Sequence, residues 1–118
     1  MAKKSPIPDP LARRHELEKK LDPARARAIA SAYLEQEREL EAVAFLKIAG
    51  AASELEALCR TAIERGDSFL LRESCAALGR EPELASWEAL AQSAERQGRE
   101  GYAAEARRQV ERLSGRVS

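Results

Sequence analysis

The sequence predicts an all-α protein of about six or seven helices, stacked as antiparallel hairpins. Aromatic residues make up only 4% of the 118-residue chain, and alanine is its commonest apolar residue. A core of Ala and Leu suits helices that approach closely, whereas strands favour β-branched and aromatic side chains. Apolar residues also recur at steps of three and four, as in Leu55, Leu58, Cys59 and Ala62, which is the periodicity of a helix.

Capping residues divide the chain into these helices. Asp9-Pro10 and Asp22-Pro23 each place a carboxylate that can accept amide protons before a proline at the first helical position. Ser53 and Glu56 have the spacing of a capping box, and Gly66 is a predicted C-terminal cap. The predicted helices are residues 10–21, 23–36, 37–49, 53–65, 67–78, 83–97 and 100–113. Such short turns make neighbouring helices antiparallel.

Length and composition indicate one domain. The chain is 44% hydrophobic and 34% charged, which is normal for a soluble globular protein and too apolar for a disordered one. We expect a flexible N-terminal tail at residues 1–8, a single helical domain at residues 9–114 and a C-terminal tail at residues 115–118. The start of the chain does not resemble a signal peptide, and no apolar run is long enough for a membrane span. These features predict a cytoplasmic protein.

Internal similarity indicates a repeated hairpin. Residues 32 apart form one set of pairs: Leu55 with Trp87, Leu58 with Leu90, Cys59 with Ala91, Ala62 with Ala94, Gly66 with Gly98, Leu71 with Ala103 and Cys75 with Arg107. Residues 30 apart form a second set: Ala28 with Leu58, Ile29 with Cys59, Ala32 with Ala62 and Phe45 with Cys75. An offset kept over two helices predicts hairpins whose apolar faces are covered by the next copy.

At these residues the sequence resembles the tetratricopeptide repeat (TPR) family, over about residues 25–113. The family places a large apolar residue, Leu-Gly and an aromatic residue on its first helix, and a small residue before the second. The matching positions are Trp87, Leu90, Ala91, Ala94, Gly98 and Ala103, with Pro82 near the usual end of a repeat. The departures are Ala91 for glycine, Ala94 for the aromatic, Arg107 for a large apolar group, and Arg25 and Gln36 in the first copy. The resemblance implies an α-solenoid with a peptide-binding concave surface; another α-solenoid or an irregular bundle stays open.

Residues that could carry catalysis are sparse, and we expect no enzyme, cofactor or metal site. His15 is the only histidine, and it lies in a charged segment without a second metal ligand or a nucleophile motif. Cys59 and Cys75 fall on core positions of the repeat, which predicts buried and inert thiols. The alternating Glu35, Glu37, Glu39 and Glu41 point around a helix axis, which suits a solvated helix junction better than a metal site.

The charge balance argues against a dedicated nucleic-acid binder, because Lys plus Arg and Asp plus Glu both total 20. Such a binder normally carries a basic excess that matches the phosphates. The charge is nevertheless uneven: residues 1–27 hold eight basic and four acidic residues, whereas residues 28–99 hold eight and thirteen. A basic arm on an acidic body suits self-association or an acidic partner, and it also suits plain solvated surface.

The leading functional hypothesis is a non-enzymatic protein-interaction module, such as an adaptor, a chaperone or a small subunit of a larger assembly. Its protein or peptide partner would bind the first helices of the hairpins, on the side away from the apolar stripe. The candidate residues there are Arg60, Glu64, Glu88, Gln92 and Arg96. Trp87 could be a partner-binding anchor, but its place in the repeat favours the core. The alternatives are a homo-oligomer assembled through the basic N-terminal helix and, after it, a nucleic-acid adaptor.

Overall fold

The described part of the chain is helical throughout. A computed structural model describes residues 21–115, and no strand occurs within this range. Its helices are α1 (Pro23–Glu35), α2 (Glu39–Ala49), α3 (Ala52–Arg65), α4 (Ser68–Ala77), α5 (Leu84–Arg96) and α6 (Glu100–Leu113). The all-α prediction is therefore confirmed for these residues. The predicted helix at residues 10–21 falls almost entirely outside the described residues. The N-terminal tail, His15 and residues 116–118 also lie outside them.

Two of the predicted helix starts have the expected caps. The Asp22 carboxylate accepts a hydrogen bond from the Arg25 amide (3.1 Å), and the Asp67 carboxylate accepts one from the Leu70 amide (3.0 Å). The prediction of a capping box at Ser53 and Glu56 is wrong. Helix α3 already begins at Ala52, so Ser53 lies inside its first turn. The Glu56 carboxylate is held instead by Arg80 (2.7 and 2.8 Å).

Five helices end in the same way, which explains why their boundaries could be predicted closely. At each end one residue has a positive φ; its amide donates to the carbonyl three residues back, and the next amide donates five residues back. This is the Schellman motif, which satisfies the last carbonyls of a helix. The residues with positive φ are Glu37, Gly50, Gly66, Gly79 and Gly98. The predicted cap at Gly66 is therefore confirmed, whereas Glu37 was missed because it is not a glycine.

The chain divides into two compact units, with the boundary between Leu55 and Glu56 inside α3. In the first unit α1 and α2 pack against each other as a hairpin. The rings of Tyr33 and Phe45 stack with their centroids 5.7 Å apart, and the Arg38 guanidinium lies 4.9 Å from the centre of the Tyr33 ring. Both aromatic rings are fully buried, so this stack forms the centre of the hairpin.

The second unit contains α4, α5, α6 and most of α3. The sulfur atoms of Cys59 on α3 and Cys75 on α4 lie 3.6 Å apart, and α5 packs along α6. Trp87 is only 1% exposed, so the prediction that it is a core residue is confirmed. The other large buried residues of this unit are Leu70, Leu71 and Leu90.

Helices α3 and α5 approach each other most closely at Gly66. A Cβ atom added to Gly66 would lie 2.6 Å from Cα of Ala94 and 2.7 Å from its backbone nitrogen. Only a glycine fits against backbone at this distance. Gly98 has nearly the same positive φ, but no atom lies within 4 Å of its added Cβ. The two glycines share a turn conformation, and only Gly66 also serves a close helix contact.

Burial in the structure corrects one of the two offsets. Ala28 is exposed although its partner at an offset of 30, Leu58, is buried, so this pairing is wrong. An offset of 29 fits better, because it aligns Glu37 with Gly66, whose turns make the same hydrogen bonds. It also pairs buried residues of α1 with buried residues of α3: Ala26 with Leu55, Ile29 with Leu58, Ala30 with Cys59 and Tyr33 with Ala62. At the offset of 32, five of the seven pairs agree in burial, whereas Gly66 with Gly98 and Cys75 with Arg107 do not.

Candidate functional site

An exposed aromatic residue marks the N-terminal end of α4. Ser68, Leu70, Leu71, Ser74 and Cys75 form the buried face of this helix. Phe69 lies off that face, and its side chain is 45% exposed. Phe69 and Leu40, which is 41% exposed, are the large hydrophobic residues left exposed in the described part of the chain. Phe69 therefore presents apolar area to solvent in the first turn of a capped helix.

Phe69 lines a groove of about 640 Å³ between the N-terminal ends of α4 and α6. We call it the aromatic groove. It is lined by Ser68, Phe69, Arg72, Arg99, Glu100, Gly101, Tyr102 and Glu105. Gly101 contributes no side chain, and nothing lies within 4 Å of the position that its Cβ would take. The space at this position of the groove is therefore open.

Charged residues at the edge of the aromatic groove hold one another in place. The Glu105 carboxylate pairs with Arg72 of α4 at 3.2 Å and with Arg108 of its own helix at 3.1 Å. The Arg99 guanidinium lies 5.9 Å from the centre of the Tyr102 ring, within the range of a cation–π contact. Aromatic and arginine side chains are the residues most enriched in protein interfaces. The groove therefore combines apolar area with preorganised charge.

The five residues predicted to bind a partner are all exposed, and they lie on α3 and α5. On α3, Arg60 lies near the Glu56 carboxylate, whose pKa is lowered mainly by the hydrogen bonds from Arg80 and to a smaller extent by the charge of Arg60. The backbone carbonyl of Glu64 accepts a hydrogen bond from the Gln97 side chain (2.8 Å). On α5, Arg96 donates to the Ser93 hydroxyl (3.2 Å).

Glu88 and Gln92 lie together in a second groove of about 640 Å³, between α5 and α6. Its other lining residues include Ala91, Glu95, Arg107 and Val110. Arg107 donates through Nε to the Glu95 carboxylate (2.7 Å). This groove is more polar than the aromatic groove, since charged or amide side chains provide most of its lining. Two of the five predicted residues are thus adjacent, and α6 supplies neighbours that the sequence did not indicate.

The two thiols lie in the interior, as the sequence predicted. Cys59 is 6% and Cys75 is 3% exposed, and neither forms a disulfide. Burial, together with the neighbouring Cys75, raises the pKa of Cys59 to about 12. Within residues 21–115, no group of three or more His, Cys, Asp or Glu side chains is arranged to hold a metal ion.

Sequence reasoning missed the aromatic groove because it followed the apolar stripe of the repeat, and Phe69 lies outside that stripe. A signal was present, however. Leu70, Leu71, Ser74 and Cys75 already satisfy the steps of three and four of one helix face, so Phe69 falls outside the apolar stripe. A large apolar residue outside such a stripe is a candidate contact residue.

Comparison with protein-family models, curated proteins and solved structures gives no match. The resemblance to the TPR family therefore rests on the residues of the chain itself. Among the described residues, no helix combines the length and the apolar character that a membrane span requires.

Proposed function

We propose that this chain is a protein-interaction module of the helical-repeat type, which binds a peptide or a helix of a partner protein. The observation that carries the proposal is the aromatic groove, which an exposed Phe69, the half-buried Tyr102 and Gly101 line together. Exposed apolar grooves with a charged rim are typical of sites that bind a partner through one apolar anchor.

The repeated hairpin supports the same proposal. The turns after α1, α3 and α5 make matching hydrogen bonds, and most of the paired residues on α3 and α5 are buried in both helices. In helical-repeat proteins each hairpin covers its neighbour, and the remaining surface is used for binding. A TPR-like solenoid is part of this proposal.

The rim of the aromatic groove indicates the character of the partner. Arg72, Arg99 and Arg108 lie close to Glu100 and Glu105, so neither sign of charge dominates. We infer a segment with one large apolar side chain, flanked by polar groups of mixed charge. A strongly basic or strongly acidic ligand would meet like charges at this rim.

The experiment compares two exposed apolar residues. Full-length bait protein captures partners from the lysate of its source cells, and quantitative mass spectrometry compares the variants Phe69→Glu and Leu40→Glu with the wild type. Phe69 and Leu40 are almost equally exposed, and Leu40 does not line the groove. We expect Phe69→Glu to lower the recovery of the specific partner about tenfold or more, as loss of an interface anchor does, and Leu40→Glu to leave it unchanged.

A second variant blocks the groove and keeps Phe69. Gly101→Leu adds a side chain into space that is empty around the Cβ position, within a helix that gains propensity from the change. It should abolish capture without loss of thermal stability. If Gly101→Leu and Phe69→Glu both retain the partner while Arg60→Glu with Arg96→Glu loses it, the partner binds the polar residues predicted from the sequence instead.

The same variants distinguish a second copy of the chain from another protein. Light scattering of the full-length protein gives its mass at several concentrations. A dimer that Phe69→Glu converts to a monomer would assign the aromatic groove to self-association. A dimer that is lost only when residues 1–21 are removed would support assembly through the basic N-terminal segment.

A further inference from the structure

We propose that Cys59 and Cys75 are a hydroperoxide-sensitive pair that closes to a disulfide between α3 and α4. The observation is their geometry: two free sulfur atoms on adjacent helices lie 3.6 Å apart in the interior. This is van der Waals contact, and a disulfide bond of about 2.05 Å requires the sulfur atoms to approach by roughly 1.5 Å. Thiols that are far apart would need a backbone movement, whereas this pair is already in contact.

The two thiols are both almost completely buried: Cys59 is 6% and Cys75 is 3% exposed. Burial raises the pKa of Cys59, which keeps it in the less reactive thiol form. Once either sulfur atom has reacted with peroxide, however, the other already lies in contact with it.

The reaction uses hydrogen peroxide as the oxidant and balances as follows. One of the two cysteines, as its thiolate, attacks one oxygen atom, and the O–O bond breaks. The departing hydroxide takes up the proton that this thiol released on ionisation, which gives a sulfenic acid and one water molecule. The sulfur of the other cysteine then attacks the sulfur of the sulfenic acid. The S–O bond breaks as the S–S bond forms, and the hydroxide leaves with the proton of the second thiol as a second water molecule. Two thiols lose two electrons and two protons, and one peroxide gains them.

The product would join the two helices covalently within the second unit. The crosslink closes a loop from residue 59 to residue 75, which limits the unfolded chain more than the folded one. Oxidation should therefore raise the thermal unfolding temperature by about 5 °C or more. A reduced protein and an oxidised protein would differ in the rigidity of the α3–α4 hairpin, and the difference is reversible with dithiothreitol.

The test uses the folded full-length chain, reduced and then treated with hydrogen peroxide. Intact mass should fall by about 2 Da, tryptic digestion should yield one crosslinked peptide containing both cysteines, and reduction should restore both thiols. The sulfenic acid probe dimedone should label the remaining cysteine in Cys59→Ser and in Cys75→Ser, since neither variant has a second thiol to close the disulfide.

The opposite results would overturn the proposal. The pair is inert if the folded chain keeps both thiols under conditions in which the urea-unfolded chain forms the disulfide. A mass increase of about 16 or 32 Da without a crosslink would mean simple overoxidation. If Cys75→Ser or Cys59→Ser unfolds, the intact mass and the crosslinked peptide of the wild type still show whether the disulfide forms, since both are measured on the natural sequence.

Discussion

At the scale of single residues, two glycines with the same backbone conformation have different tasks. Gly66 and Gly98 both have positive φ, 69° and 72°, and both end a helix with the same hydrogen bonds. Gly66 in addition leaves room for the backbone of Ala94. The left-handed conformation alone disfavours any other residue, and the contact with Ala94 adds a steric requirement that sequence position does not reveal.

Alanine substitution separates these two requirements. Gly98→Ala should cost about 1 kcal/mol, because it only places a Cβ atom in a left-handed conformation. Gly66→Ala should cost about 3 kcal/mol or more, because α3 and α5 must also move apart. The free energies of unfolding in urea measure both. Equal losses for the two variants would show that the close approach of α3 and α5 is relaxed at no cost.

At the scale of helices, the turn between α1 and α2 has Glu37 at a position of positive φ, where glycine is favoured. Glu37 has φ of 58°, and it is the described non-glycine residue with positive φ. Its amide donates to Leu34 and the next amide donates to Tyr33, so the hydrogen bonds of the motif are complete. The side chain is exposed, so the residue carries backbone strain and no visible packing benefit.

Relieving this strain should stabilise the protein. We expect Glu37→Gly to raise the free energy of unfolding by about 0.5–1 kcal/mol, since the gain at positive φ exceeds the added entropy of the unfolded chain. The control is Ala28→Gly at an exposed position inside α1, which should lower it by about 1 kcal/mol. The free energies of unfolding of the wild type and the two variants, measured by chemical denaturation, test this prediction. A loss of stability in Glu37→Gly would show that the Glu37 side chain has a stabilising role.

The contact between Glu56 of α3 and Arg80 should give stability a dependence on pH. The hydrogen bonds from Arg80 hold the pKa of Glu56 below its ordinary value of 4.5. Because the folded pKa is below the unfolded one, the contribution is present above about pH 4.5 and is lost as the pH falls through the folded pKa.

The variant Glu56→Gln isolates this contribution. Its melting temperature should lie below that of the wild type near pH 7, and the difference should shrink between pH 7 and pH 2 as the pH falls through the folded pKa of Glu56. In an Arg80→Gln background the same change should have no effect that depends on pH. A difference that stays constant between these pH values would mean that the ion pair does not contribute to stability.

At the scale of the whole chain, the described residues form two units of unequal content. The first has one helical hairpin, whereas the second contains α4, α5, α6 and most of α3. The second unit holds its own large buried residues, among them Trp87 and Leu90. A unit with its own core can fold alone, whereas a chain of fewer than about 40 residues usually cannot.

Two fragments test this division. The fragment of residues 50–118 contains α3 to α6 and should unfold cooperatively in urea, with helical circular dichroism. The fragment of residues 21–49 contains only α1 and α2 and should remain largely unfolded. If the larger fragment melts without a cooperative transition, its core needs residues 1–49.

The sequence by itself determined the helical class and the bounds of the helices. It could do so because caps, prolines, left-handed glycines and helical periodicity act within a few residues. Asp22, Asp67 and Gly66 show this, since each does in the structure what its position predicted. The local signal was atypical at two positions. At Glu37 the prediction missed a left-handed turn without glycine, and at Ser53 it placed the start of α3 one residue too late.

Only the tertiary structure decided which distant residues meet. The contact between Cys59 and Cys75, the approach of Gly66 to Ala94 and the place of Phe69 beside Gly101 join residues 16 to 32 positions apart. Such contacts depend on how helices pack, and packing is set by the sum of many weak interactions across the core. The aromatic groove and the thiol pair therefore depend on the tertiary fold, because the local sequence around their residues is that of ordinary helices.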